Sequence, residues 1–165
     1  MSAPLVFSLA EIEGRHLARI VDDFIELVGT KDAADHAIAR LTPDAYPEDA
    51  AASAEFGIAT RDDLLDRRLL DARTMRSALT AFDGAAELTV AEAQAMRQVA
   101  VRRADIDAWL RTLTAIRLVL AERLGITTED VGGGRTDGTD LYDWLGYRLE
   151  LLIEAADELL TDSGS

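Results

Sequence analysis

The sequence predicts an all-α fold, a single irregular bundle of about five helices over residues 1–165. Three observations carry this expectation: apolar residues recur at helical spacing along most of the chain, helix-start signals precede those stretches, and strand signals are nearly absent. At 165 residues the chain can bury roughly two thirds of the surface its unfolded form exposes, so no covalent staple is required.

Each element has its own warrant. Ser8-Leu9-Ala10-Glu11 reads as a capping box opening helix one. Leu9, Ile12, Leu17, Ile20, Val21, Phe24 and Val28 continue it, with Gly29 as the stop. A short helix follows over Asp32–Leu41, then a turn-rich connection in which Pro43 and Pro47 bracket Tyr46. Alanines from Ala50 to Ala54 lead to Phe56, and Thr60-Arg61-Asp62-Asp63 is a weaker start for a helix running through Leu64, Leu65, Leu69, Met75 and Leu79 to about Phe82. Thr89-Val90-Ala91-Glu92 is a second capping box; the pattern it launches lasts to Gly125, as one helix or as two with a bend near Arg102–Asp105. Gly132-Gly133-Gly134 marks a flexible loop near 131–138, since it lacks the Gly-Lys-Ser/Thr ending and preceding strand of a phosphate-binding loop. The last helix spans about Thr139–Leu160, with Leu141, Trp144, Leu145, Leu152, Ala156 and Leu159 on one side, and residues 161–165 form a frayed tail.

Charge narrows the function classes. The net charge is −14, and it divides as −7 over residues 1–60, +1 over 61–123 and −8 over 124–165. Arginines interleaved with acids on so negative a background disfavour binding to nucleic acid or to anionic membranes. They favour solubility and steering toward a basic protein partner. There is no cysteine, so disulfides, thiolate metal sites, thiol nucleophiles and cysteine redox switches are excluded. Met1–Phe7 lacks the basic region of a secretory signal, and no apolar run approaches the roughly 20 residues of a membrane span. A cytoplasmic location is expected.

Reactive constellations are sparse. The Glu13-x-x-His16 spacing resembles half of a di-iron motif, but His36 has Ala33 at that spacing and no second copy exists. Asp22, Asp23 and Glu26 on the first helix, and Glu154, Asp157 and Glu158 on the last, are the carboxylates that a divalent-metal-dependent phosphohydrolase would use. That is the alternative function class, and a purely structural role is a third. No Ser-His-acid grouping suggests nucleophilic catalysis. The expectation is therefore a protein that is not an enzyme, with no catalytic, metal or cofactor site.

Arg117 stands out instead. At 100° per residue it falls within the apolar arc of Ile106, Leu110, Leu113, Ile116, Leu120 and Leu124. A guanidinium there needs a partner, and Asp140, Asp143 and Glu150 on the last helix supply carboxylates. The expected structural or interaction hub comprises Arg117, Asp140, Asp143, Trp144, Trp109 and Tyr142, with Gly146 permitting close approach.

Several of these residues carry a resemblance. Trp109-Leu110-x-x-Leu113-x-x-Ile116-Arg117-Leu118-x-Leu120-x-x-Arg123-Leu124-Gly125, followed by Tyr142-Asp143-Trp144-Leu145-Gly146, resembles the signature of an uncharacterised actinobacterial family, domain of unknown function 2017. Its members are often encoded beside the Clp protease adaptor. Arg40-Leu41-x-Pro43-x-Ala45-Tyr46, Glu55-Phe56 and Thr60 are similar to its N-terminal half. Thr114 and Ala115 depart from the family's usual Asn-Asp before x-Arg-Leu. The resemblance implies a cytoplasmic protein without known enzymatic activity. It also implies regulation of the oxidative-stress response with a sigma factor, which some members are thought to perform through a cysteine pair that this chain lacks. The expected function is thus regulation by protein–protein interaction, with a basic protein or a sigma factor as partner and self-association as a further possibility.

Overall fold

A computed structural model describes residues 3–42, 50–125 and 137–162, the backbone alone at 50–59 and 137–139. The turn expected around Pro43 and Pro47, the Gly132–Gly134 loop and Ser163–Ser165 lie outside the described residues.

The fold is mostly helical, as expected, with one addition. Strand β1 (Leu5–Ala10) pairs antiparallel with strand β2 (Met96–Val101), Leu5 opposite Val101 and Ala10 opposite Met96. Around this ribbon run α1 (Glu11–Thr30), α2 (His36–Leu41), α3 (Ala50–Ser77), α4 (Val90–Gln94), α5 (Ile106–Leu124) and α6 (Asp137–Asp162), with 3₁₀ turns at Thr80–Phe82 and Arg103–Asp105. Helix α1 packs on α3, α3 on α5, and α5 on both α2 and α6. Their shared core holds Leu9, Val21, Ile38, Leu41, Leu65, Met75, Leu79, Trp109 and Leu145, all fully buried. Among the described residues no helix is long and apolar enough to cross a membrane.

The ribbon corrects two expectations. Ser8 does not open helix one; it lies in β1 opposite Gln98. The capping frame slips by two residues, and Glu13 Oε1 accepts from the backbone N–H of Ala10 at 3.1 Å. Glu11, expected as the capping glutamate, is buried instead and holds Arg15 at 3.1 Å and Arg97 of β2, tying the ribbon to the first turn of α1. In the second half, the Thr89 box forms as read, its hydroxyl accepting from Glu92 N–H at 3.1 Å. It launches only the short α4. The next residues are spent on β2, so α5 begins at Ile106, after the expected break at Arg102–Asp105, and ends at Gly125 with φ of 64°.

Other boundaries move for local reasons. Helix α3 runs unbroken from Ala50 through Thr60, because the alanine-rich stretch favours helix and needs no new start. Helix α2 begins at His36, where Asp35 Oδ1 accepts from Ala37 N–H at 2.8 Å. Helix α1 passes Gly29 and ends on Lys31, a left-handed residue with φ of 52° whose N–H donates to Val28 at 3.2 Å. Lys31 Nζ reaches Asp66 at 2.9 Å and its carbonyl accepts from Arg61 at 2.5 Å, which fastens the end of α1 to α3. Gly14 in α1 is required by packing: a Cβ there would sit 2.1 Å from the buried ring of Phe82.

Candidate functional site

The residues expected to form one hub form two contacts on α6 and an exposed stripe. The first contact is Arg117 with Tyr142: the guanidinium carbon lies 4.3 Å from the ring centroid. Gly146, one turn on from Tyr142, makes room for it, since a Cβ there would be 2.9 Å from Nη2 and 3.0 Å from Cζ of Arg117. Arg117 is half-buried and Nε has no hydrogen-bond acceptor.

The expected carboxylate partner is corrected. Among the described residues no carboxylate lies within 4.0 Å of Arg117, and Asp140, Asp143 and Glu150 are all exposed. The cause is helical phase. Tyr142 and Gly146 share the face turned to α5, whereas Asp143 is rotated about 100° away and Asp140 and Glu150 lie with it toward solvent. An aromatic face substitutes for the carboxylate by cation–π attraction.

The second contact joins α6 to α1. Glu13 Oε2 accepts from the indole N–H of Trp144 at 2.8 Å and from Arg148 at 2.9 Å, while Oε1 holds the Ala10 N–H. Burial alone would push the Glu13 carboxyl up. The Arg148 guanidinium and the Ala10 and Trp144 N–H groups together outweigh it, and the carboxyl is held below its ordinary range. The sequence singles out Trp144 but not Glu13 as its partner, because the two lie 131 residues apart. Trp109 belongs to this side as well. It is buried in edge contact with Phe7 of β1, centroids 5.6 Å apart at 85°. Trp109, Trp144 and Arg148 line a small apolar cavity of about 60 Å³ beneath the ribbon.

Glu13 is thereby committed, and His16, about 60° round α1 from it, is exposed. Asp22 is drawn to Arg76 at 2.8 Å. Among the described residues no three His, Asp or Glu side chains converge as metal ligands, so neither acidic set offered for a phosphohydrolase assembles as a ligand cluster.

What α6 does present is a surface. Asp140, Asp143, Glu150, Glu154, Asp157, Glu158 and Asp162 are exposed, and among the described residues none has a cation within 4.0 Å. Counting from Asp140 at 100° per residue, the first six fall within an arc of about 100°. Tyr147, 57% exposed, lies inside that arc, and Leu151, 38% exposed, lies just beyond its edge, between Glu158 and Asp162 on the helix circumference. The carboxylates repel one another at i+3 and i+4 spacing, and Asp157, Glu158 and Asp162 sit at the helix end where the dipole disfavours anions, with no basic residue in the last turn.

No curated protein and no solved structure matches the chain. The family model described as Domain of unknown function (DUF2017) matches residues 2–156, a span that takes in β1 through most of α6, and the chain belongs to that family.

Proposed function

We propose that this is a non-enzymatic helical protein that acts in regulation by docking a basic protein partner on the outward face of α6, in the cytoplasm and without a thiol switch. The observation that carries the reading is the unpaired acidic stripe, with Tyr147 within it and Leu151 at its edge. Elsewhere, beside exposed acids without a cation such as Asp23, Glu26, Asp63 and Asp107, others are engaged: Asp22 and Asp83 with Arg76, Asp66 with Lys31, Asp71 with Arg111, Asp35 with Arg123. On α6 they are not, and a partner contributing Lys or Arg would relieve both their mutual repulsion and the unfavourable dipole contact. Charge complementarity of this kind speeds encounter and sets orientation, while the aromatic and aliphatic residues supply buried area.

The experiment is affinity capture from native cytosol with the wild-type protein and a charge-reversed variant, Glu150→Lys with Glu154→Lys and Asp157→Lys. The reading expects a partner held at low salt, released as ionic strength rises, and missing from the variant eluate. Equal recovery by both proteins refutes it. Calorimetric titration with magnesium or manganese tests the rival metal-enzyme class, which requires a stoichiometric site.

A further inference from the structure

A second surface has the opposite character. An open groove of about 630 Å³ lies between α1 and the irregular segment 83–89, and its lining includes Arg15, His16, Arg19, Arg76 and the exposed Ile12. On a chain of net charge −14, this lining carries three arginines against two acids, a balance opposite in sign to that of the whole chain. The two acids of the lining, Asp22 and Asp83, are both bound to Arg76. Arg15 is held in place by Glu11 at 3.1 Å and by the Ala86 carbonyl at 2.7 Å. Arg19 and His16, three residues apart on α1, are exposed, and among the described residues neither has a partner.

The opposite wall adds donors. Gly84 to Glu87 are exposed, and among the described residues none of the backbone N–H groups from Gly84 to Leu88 has a protein acceptor. A run of main-chain donors without protein acceptors, in a groove that Arg19 and the His16 imidazole also line, suits an acceptor-rich, extended ligand. Peptide carbonyls answer the wall, and carboxylates answer Arg19 and His16. Ile12 and Leu88 in the lining offer apolar surface to a side chain between the carboxylates.

We propose that this groove binds an acidic peptide segment carrying an apolar residue beside its carboxylates, independently of the α6 face. Arg19 and His16 hold its side chains, and the Gly84–Leu88 amides hold its backbone. The probe is a fluorescein-labelled peptide of alternating glutamate and leucine, read by fluorescence anisotropy and by amide chemical shifts of the ¹⁵N-labelled full chain. Arg19 is exposed and makes no hydrogen bond or ion pair among the described residues, so Arg19→Glu should preserve the fold, and it should weaken the peptide about tenfold or more by replacing attraction with repulsion. Arg67→Glu, exposed on α3 nine residues before Arg76, should change the affinity by less than about twofold, as expected for a remote charge. Bound peptide should shift the Gly84–Leu88 amides, and these shifts should persist in the α6 charge-reversed variant, so failure of either surface is seen separately. Unchanged affinity in Arg19→Glu, or unmoved Gly84–Leu88 amides, overturns the proposal. So does succinate producing the same shifts at equal affinity, which would make the groove a small-carboxylate site.

Discussion

Replacing Glu13 should be among the most costly single changes away from the hydrophobic core. Its two oxygens serve three donors, the Ala10 N–H, the Trp144 indole and Arg148, and so link the start of α1 to the middle of α6. Hydrogen bonds to charged groups contribute about 1.5–3 kcal/mol each, but Glu13 is 27% and Arg148 is 23% exposed at the side chain, so solvent screens their pair and the lower end applies. Loss of the helix-cap contact costs about 1 kcal/mol. Together these give about 2–4 kcal/mol for Glu13→Ala, a fall in Tm of roughly 5–12 °C for a chain of this size. Glu13→Gln keeps one acceptor oxygen and should fall between. The pH dependence has a definite sign. Because the folded-state pKa of Glu13 is depressed, its contribution is fully present above the ordinary value of 4.5 and is lost as pH falls through the folded-state value. The gap between wild type and Glu13→Gln should therefore narrow in acid. Urea unfolding at several pH values, with a double-mutant cycle against Arg148→Met, measures both effects. A coupling energy under about 0.5 kcal/mol, within the usual scatter for independent sites, refutes the bracket.

Three further outcomes are expected. Gly14→Ala gains about 1 kcal/mol of helix propensity but drives a methyl into the Phe82 ring, and overpacking of about 1–3 kcal/mol should make it net destabilising by thermal melt. Arg117→Ala should cost about 1–2 kcal/mol, the scale of a desolvated cation–π contact plus packing of its stem, rather than the 3–5 kcal/mol of a broken buried ion pair; chemical denaturation separates the two. Peroxide should oxidise Met96, 62% exposed, well before the fully buried Met75, and leave the circular dichroism unchanged, as peptide mass mapping would show.

Helical content was legible because it is local. The 3.6-residue period of α1, the Thr89 capping box and the Gly125 stop each depend on neighbours within two turns, and each appears where the sequence places it. The ribbon was not legible, because Leu5–Ala10 finds its partner about 90 residues away and each strand has only six residues. Without that pairing, Ser8-x-x-Glu11 satisfies every local test for a cap. Arg117 divides the same way. Its position on the face of α5 turned to α6 follows from helical geometry, but whether it meets Asp143 or Tyr142 depends on the rotation of α6, and that rotation is set by Leu145, Leu149 and Leu152 entering the core. The tie from Trp144 to Glu13 spans 131 residues and had no local signature.

The central claim is that the acidic face of α6 is a docking surface. Hydrogen–deuterium exchange on the captured complex, compared with the free protein, tests it most directly. The account predicts added protection along α6 between Asp143 and Glu158, weakening as salt rises, with the Gly84–Leu88 amides unchanged by a basic partner. Protection confined to other elements, or none on α6 at low ionic strength, contradicts it.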